Sequence, residues 1–462
     1  MDLSVFKAYD IRGSVPEQIN NDFSFYLGLT LQEVIPSSNV IVGYDARNSS
    51  KLLSGYLISG LSLKSNNINC IGLCGTEEIY YACANHDYDL GIMVTGSHNP
   101  INQNGFKIVK RGAIPVSGDS GLYDIRDKII NIHKNNIHLE NTHVTSYSDI
   151  NYRNEYIQWL VKYTGISDIR NSNLRVIIDS GNGSAGPFLK ELTNYVPFYV
   201  DLLNETPDGS FPNGVPNPLL PNRRSYLSNI IKNFSNIDFG VAFDGDFDRC
   251  FFYDGDGNFI DGYYIVGLLA SELLHYHPNE KIIYDPRVYW NIKEIILKNS
   301  GIPIMSKTGH AFIKERMRSE NALYGGEMSS HHYFRDFSYC DSGMIPFLLI
   351  SSLIIRTKNS LSDLVSDGMS KYPCSGEINF EIPDNIDILS LIKERYFHNS
   401  LHVDYIDGIN IEFSNWRFNI RFSNTEPILR LNAESNGDKS LLNDKVSELT
   451  DILKNYGVNP LF

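Results

Sequence analysis

The chain is short of positive charge. It has 40 Lys and Arg against 54 Asp and Glu, for a formal net charge of −14 over 462 residues. That deficit argues against nucleic acid or an anionic membrane surface as a partner. An acidic chain still binds small anions when its arginines are focused locally. Cysteine is scarce as well: the six, at positions 70, 74, 83, 250, 340 and 374, form no CxxC pair. They read as reduced thiols of a cytoplasmic protein and not as a disulfide framework. No run of about 18 uncharged apolar residues exists to span a bilayer. The longest near-candidate, Met344–Ile355, is too short and predicts a buried helix. The start, Met1–Lys7, has no basic segment leading into an apolar one, so no signal peptide is expected.

What is present is chemical. Asp89–Val94 contains an apolar run of strand length, which Gly96 breaks and Asn99-Pro100 closes. Ser97 therefore sits in a loop just past a strand end, where open α/β sheets keep their chemistry. His98 and Lys107 are near enough in sequence to polarise its hydroxyl or bind a phosphate on it. A second strand-like run, Asp238–Phe243, leads directly into Asp244, Asp246 and Asp248. Hard divalent cations take oxygen ligands, and magnesium favours a few carboxylates plus phosphate. Three unpaired carboxylates so close together would repel one another, and a cation resolves that conflict. Gly245 allows the chain to bend between them. An EF-hand is a poor alternative, because the twelfth position counted from Asp244 is Gly255 and not glutamate. Arg249, beside the cluster, is placed to hold a phosphate against the metal.

Two further loops carry polar groups. Trp416–Phe422 alternates, with Trp416, Phe418, Ile420 and Phe422 on one face and Arg417, Asn419 and Arg421 on the other. That pattern predicts a half-buried strand. It leads into Ser423, Asn424, Thr425 and Glu426, flanked by Arg421 and Arg430, a composition suited to a phosphate dianion or to an ordinary hairpin loop. Gly325–His331 offers Glu327 and Ser329 for vicinal hydroxyls and His331 for a proton.

The organisation is repetitive. Val40–Asp45, Val176–Asp179 and Ile282–Asp285 are three apolar runs that each end at an aspartate and precede a helix-like stretch. They predict three α/β units with mostly parallel buried strands. A chain of this length is expected to form about three or four domains. The polar segment 131–152 suits the first boundary. Beyond about residue 370 the pattern changes to alternating strands and an amphipathic helix near Lys439–Tyr456. The fold class is therefore α/β: three similar mixed-sheet α/β domains and a smaller C-terminal α+β lid domain. The expected spans are 1–145, 146–252, 253–368 and 369–462.

Six segments in this order carry a resemblance: Phe6–Gly13, Thr95–Pro100, Asp244–Arg249, Ser306–Lys314, Gly326–His331 and Arg421–Pro427. The chain resembles the α-D-phosphohexomutase superfamily over essentially its whole length. The stretch His331–Gly343 and Met328 resemble its bacterial phosphomannomutase branch in particular. The resemblance implies four domains around a central cleft, with the serine, metal, sugar and phosphate loops contributed one by each. It implies a phosphoserine at Ser97. It also implies one Mg²⁺ per chain, held by Asp244, Asp246, Asp248 and a phosphate oxygen on Ser97. Glu327 and Ser329 would contact sugar hydroxyls, and Arg421, Ser423, Asn424 and Thr425 would hold the non-reacting phosphate. Arg12, His98, Lys107, Arg249, Arg287 and His310 would line the reaction centre, with Lys107 and His331 as candidate acid/base groups. Arg287 stands where many relatives have lysine. Ser330 replaces a frequent glycine and is expected to stiffen the sugar loop. Glu426 is a like charge beside the phosphate loop and is expected to point outward.

The implied reaction interconverts mannose 6-phosphate and mannose 1-phosphate through a hexose 1,6-bisphosphate, which also serves as activator. It would feed GDP-mannose and surface polysaccharide synthesis in the cytoplasm. Phosphoglucomutase or dual activity stays open, since the two epimers differ at one hydroxyl. A metal-dependent phosphatase would use the same serine and metal but needs neither the 421–425 loop nor a sugar loop. A non-catalytic binding protein would be expected to lose Ser97 or one of the three aspartates.

Overall fold

The computed structural model describes residues 2–64, 67–134, 147–383, 387–423 and 428–461. They form two compact units, residues 1–259 with 336–358 and residues 260–335 with 359–462.

The first unit holds two mixed sheets. In the first, Asn39–Tyr44 lies parallel between Asn67–Leu73 and Leu90–Val94, and Gln103–Lys110 returns antiparallel to Leu90–Val94. Ile11–Ser14 pairs antiparallel on the outer side of Gln103–Lys110, and the two-residue strand Ser148–Asp149 joins the far edge at Asn67–Leu73. In the second sheet, Arg175–Asp179 lies parallel between Tyr199–Leu203 and Phe239–Phe243, and Cys250–Asp254 returns antiparallel. Leu90–Val94 and Phe239–Phe243 are buried along their whole length, which explains why they read as continuous apolar runs and not as alternating ones. The helices Asn21–Val34 and Ser50–Ser62 cross closely on the first sheet. A Cβ at Gly28 would lie 2.2 Å from Leu57 O, and one at Gly60 2.0 Å from Phe25 O. Each glycine removes one side chain from the crossing, which lets the backbones touch.

The expected buried helix is Met344–Thr357. It follows the third sheet in sequence but packs within the first unit, its Phe347 ring against Phe198 and Phe243. Glu77 anchors its N-terminus. It accepts from Gly343 N at 2.8 Å, Met344 N at 3.2 Å and Ser342 Oγ at 2.5 Å, and from the Tyr156 hydroxyl. These bonds satisfy amides that a helix start leaves open.

The second unit repeats the theme and then departs from it. Lys281–Tyr284 lies parallel between Ile302–Met305 and Tyr324–Gly326, and His332–Phe334 returns antiparallel. The last sheet is antiparallel throughout, in the order His402–Asp404, Ile409–Glu412, Trp416–Phe422, Ile428–Ser435, Ile378–Glu381, Asn459–Pro460. The amphipathic helix runs from Lys439 to Asn455 and covers this sheet with Leu442, Leu449, Ile452 and Leu453.

One expectation changes here. Trp416–Phe422 is buried on both faces up to Arg421, not half-buried. The polar face is covered because each side chain finds at least one partner. Arg417 donates to Glu434 Oε1 at 2.9 Å, Asn410 Oδ1 at 2.9 Å, Arg287 O at 2.9 Å and Pro286 O at 2.8 Å. Asn419 donates to Asp407 O at 2.9 Å. A buried charge is tolerated only when it is paired and hydrogen-bonded in this way.

Three of the chemically marked loops are turns of antiparallel hairpins, and the fourth lies in sequence between two strands that pair antiparallel. Residues 95–102 join Leu90–Val94 to Gln103–Lys110, and 244–249 join Phe239–Phe243 to Cys250–Asp254. Residues 327–331 join Tyr324–Gly326 to His332–Phe334, and 423–427 join Trp416–Phe422 to Ile428–Ser435.

Candidate active site

In the first unit the serine loop is pinned from below by Asp45 and Arg47, which follow the strand Asn39–Tyr44. Asp45 Oδ2 accepts from Thr95 Oγ1 at 2.7 Å and from Gly96 N at 3.0 Å. The buried Arg47 guanidinium donates to four carbonyls of the loop: Ser97 at 3.0 Å, Asn99 at 2.5 Å, Pro100 at 2.8 Å and Gln103 at 2.9 Å. A Cβ at Gly96 would lie 2.2 Å from Arg47 Nε, so the glycine is needed for this contact. Ser97 is held at φ +47°, a conformation uncommon for a non-glycine residue.

The Ser97 hydroxyl is buried. Its Oγ donates to Asp244 Oδ2 at 2.7 Å and lies 3.0 Å from His98 Nδ1. Arg249 Nη2 is 3.1 Å from the same His98 nitrogen. Because a guanidinium only donates, Nδ1 is the acceptor and the ring proton belongs on Nε2. Gly245 does more than permit a bend, since a Cβ there would lie 2.5 Å from Ser97 O. The glycine lets the metal loop close over the serine loop.

Asp244, Asp246 and Asp248 are all buried, and each places a carboxylate oxygen within 4.8 Å of the others. Burial first, then the neighbouring Asp248 and Asp246, push Asp244 well above the usual carboxylate range. Asp246 behaves differently. Burial and Asp248 oppose its ionisation, but Lys107 and Thr76 hold it below its ordinary value. Lys107 Nζ bridges Asp246 Oδ2 at 2.7 Å and Asp248 Oδ2 at 2.5 Å, and Thr76 Oγ1 donates to Asp246 Oδ2 at 2.6 Å. Burial disfavours the Lys107 ammonium, yet the two aspartates outweigh it and raise its pKa. Lys107 is thus a counter-ion of the carboxylates in this geometry. The donor set fits a hard divalent cation: three buried carboxylates converge, and Asp246 Oδ1 is buried without a hydrogen-bond partner. Arg12 approaches from the first strand of the sheet, bonding Asp10 Oδ2 at 2.8 Å and the Thr95 carbonyl.

The second unit gathers the sugar and phosphate loops. Asp285 organises the former. It accepts from Arg287 N at 2.9 Å, Arg287 Nη2 at 2.8 Å and Met328 N at 2.8 Å. Glu327 Oε1 accepts from Gly309 N at 2.9 Å, and Oε2 accepts from the Tyr333 hydroxyl at 2.5 Å. His331 Nδ1 lies 3.4 Å from Glu327 Oε2 and 3.5 Å from Ser329 Oγ. Burial alone would raise the Glu327 carboxyl, but His331 and Arg287 hold it well below its ordinary range. Ser330 takes φ +63°, so the residue standing for a frequent glycine does adopt the left-handed backbone. His310 opens the helix His310–Glu320, its ring centroid 6.5 Å from that of His331.

Arg421 is almost fully buried at the end of its strand, directly across from Arg430. Its Nη2 donates to Glu377 Oε2 at 3.4 Å, and its Nε lies 3.8 Å from Asp407 Oδ2. Ser423 donates its backbone N–H to Ile428 O at 2.9 Å. Asn424, Thr425 and Glu426 lie outside the described residues.

The structure thus brings Arg12, Ser97, His98, Lys107, Asp244, Asp246, Asp248 and Arg249 together in the first unit. It gathers Arg287, His310, Glu327, Ser329, His331 and Arg421 in the second. The sequence did not mark Arg47, Thr76, Glu77, Glu377 or Asp407. It did mark Asp45 and Asp285 as the ends of apolar runs. The shared signal that would have found their role is Asp-x-Arg at positions 45–47 and 285–287.

Four family models match the chain. They are the phosphoglucomutase/phosphomannomutase alpha/beta/alpha domains I, II and III at residues 3–136, 154–257 and 261–372, and the C-terminal domain at 377–452. A phosphomannomutase of Vibrio cholerae is 46% identical over 468 residues, covering 99% of this chain and all of that protein. A protein of Xanthomonas campestris described as phosphohexose mutases is 45% identical over 454 residues, covering 98% of this chain and all of that one. A crystal structure of a phosphoglucomutase/phosphomannomutase family protein from Burkholderia thailandensis superposes with a TM-score of 0.86 at 29% identity, covering both chains completely. This chain belongs to the phosphoglucomutase/phosphomannomutase family.

Proposed function

We propose that the chain is a phosphomannomutase that interconverts mannose 1-phosphate and mannose 6-phosphate through a phosphorylated Ser97 and a hexose 1,6-bisphosphate. The observation that carries this is the buried Ser97 hydroxyl, bonded to Asp244 and His98 at the edge of three converging carboxylates. Phosphorylated Ser97 gives its phosphoryl group to the free hydroxyl of the sugar phosphate, and the bisphosphate then turns over. Its other phosphate returns to Ser97.

Each residue has a physical task. Arg47 and Asp45 fix the serine loop, so the nucleophilic oxygen is placed before substrate arrives. His98 Nδ1 accepts the Ser97 hydroxyl proton when that oxygen is rephosphorylated by the bisphosphate, and returns it when phosphoserine gives up its phosphoryl group. Arg12 and Arg249 stand beside the developing negative charge. Asp244, Asp246 and Asp248 would hold one Mg²⁺, which supplies positive charge against the phosphoryl oxygens. His331 takes the proton of the attacking sugar hydroxyl at Nε2 while Glu327 faces Nδ1 and fixes the ring. Glu327 and Ser329 bind sugar hydroxyls. Arg421, with Ser423, Asn424 and Thr425, holds whichever phosphate is not reacting. Arg287 and His310 orient the substrate near the sugar loop. Hexose 1,6-bisphosphate primes a dephosphorylated Ser97.

The test is an assay of purified protein on mannose 1-phosphate and glucose 1-phosphate in parallel, with Mg²⁺ and catalytic hexose 1,6-bisphosphate. Mannose 6-phosphate is the expected product. Release of inorganic phosphate without isomerisation would overturn the proposal and indicate a phosphatase.

A further inference from the structure

Glu377 occupies the junction between the third and fourth sheets, just before the strand Ile378–Glu381. Three guanidiniums share its carboxylate. Arg287 Nη1 lies 3.3 Å from Oε2, Arg421 Nη2 3.4 Å from Oε2 and Arg430 Nε 3.5 Å from Oε1. The three are not equally supported. Arg287 is already paired with Asp285 by 2.8 and 3.1 Å bonds. Arg421 has Asp407 only at 3.8 Å, and its Nε is buried without a hydrogen bond. Burial first, then the neighbouring Arg287, push the Arg421 guanidinium below its ordinary value. Glu377 and Asp407 pull the other way, so Glu377 is one of two carboxylates that offset this burial.

A planar carboxylate that takes donors on both oxygens from converging arginines mimics the edge of a phosphate. Glu377 is also about a quarter exposed, unlike the almost fully buried Arg287 and Arg421 around it. The backbone on its N-terminal side is permissive: Gly376 sits at φ +69°.

We propose that Glu377 is an internal counter-ion of the phosphate site: it aligns Arg287, Arg421 and Arg430 in the absence of substrate and competes with the phosphate dianion for them. The inference rests on the phosphate-binding role assigned above to Arg421. Its consequence is a site of restrained affinity. A bisphosphate intermediate must leave this site with one phosphate and return with the other. An arginine cluster without an internal anion would hold each phosphate too long.

The experiment measures binding of inorganic phosphate by calorimetry to the Mg²⁺-loaded protein in five forms: wild type, Glu377→Gln, Glu377→Asp, Arg421→Ala and the double variant Glu377→Gln with Arg421→Ala. Glu377→Gln keeps the size and an acceptor oxygen but removes the charge. It should tighten phosphate binding by about three- to tenfold at low salt, with the gain shrinking toward 0.5 M (roughly a 4 Å Debye length). Glu377→Asp keeps the charge and should bind like wild type. In the double variant with Arg421→Ala the gain should vanish. Glu377→Gln also should lower KM for mannose 1-phosphate together with kcat. If Glu377→Gln binds phosphate equally or more weakly while Arg421→Ala still abolishes binding, the counter-ion role is wrong and the phosphate site stands. If phosphate binding does not depend on Arg421, the phosphate site itself is wrong.

Discussion

The two compact units solve opposite electrostatic problems. The first gathers three buried carboxylates around a hydroxyl and answers them with Lys107 and, at 3.9 Å from Asp248, Arg249. The second gathers buried arginines and answers each with carboxylates: Asp285 on Arg287, Asp407 and Glu377 on Arg421. Buried like charges repel strongly at low dielectric, so each cluster needs counter-charge close by. In the proposed function a divalent cation would add to it in the first unit, and a phosphate dianion would compete with Glu377 for the arginines in the second. The charge sign is what would distinguish the proposed reacting site from the proposed holding site.

The largest effect that would break this comparison is on chemistry. Ser97→Ala should lower turnover by roughly 10⁴-fold or more while leaving hexose-phosphate binding nearly intact. Intact mass should show a labile phosphate on the wild type that the variant lacks, and near wild-type activity would remove Ser97 from the reaction. Next in size, Asp246→Asn should raise the half-saturating Mg²⁺ concentration by about 100-fold, since it removes a charged ligand atom. An unchanged titration of activity with magnesium would exclude Asp246 as a ligand.

In the second unit, Arg421→Ala should raise KM for mannose 1-phosphate and mannose 6-phosphate alike, by about 1.5–3 kcal/mol in each direction. It should also increase the dependence on added bisphosphate, because the intermediate escapes before turning. A defect confined to one substrate would mean that the loop after Arg421 is not a shared phosphate site.

The smallest expected effect sharpens the picture of the first unit. Burial pushes the Glu77 carboxyl up to about 8 from an ordinary 4.5, against the pull of its four donors. A raised folded-state value means that the native state keeps a proton the unfolded chain has lost. The associated stability is fully present below pH 4.5 and is lost as pH rises through about 8. Urea midpoints of Glu77→Gln should therefore fall less steeply than wild type between pH 5 and 8. Equal slopes would mean that Glu77 is ionised across that range.

The reacting loops were legible in the sequence because each follows a strand with a strong apolar signature, Leu90–Val94 and Phe239–Phe243. Their chemistry also sits within a few residues: Ser97 with His98, and Asp244 with Asp246 and Asp248. The supporting groups were not legible, because they act across the fold. Arg47 holds a loop 50 residues away, and Glu77 holds a helix 267 residues further on. Lys107 shows the same limit from the other side. Sequence proximity placed it near Ser97, but strand pairing puts Lys107 opposite Met93, and its ammonium lies on Asp246 and Asp248. The alternation of Trp416–Phe422 was visible, yet burial of its polar face depended on Glu434 and Asp407, which no local pattern reveals.

The central claim is that one phosphoryl group passes between Ser97 and a hexose phosphate. The most direct measurement loads Ser97 with isotopically labelled phosphate, mixes the protein with unlabelled mannose 6-phosphate and follows the label within a single turnover. The expected result is loss of label from the peptide containing Ser97 and its appearance first in the bisphosphate, then in mannose 1-phosphate. Label that stays on the peptide, or leaves it only as inorganic phosphate, would contradict the account.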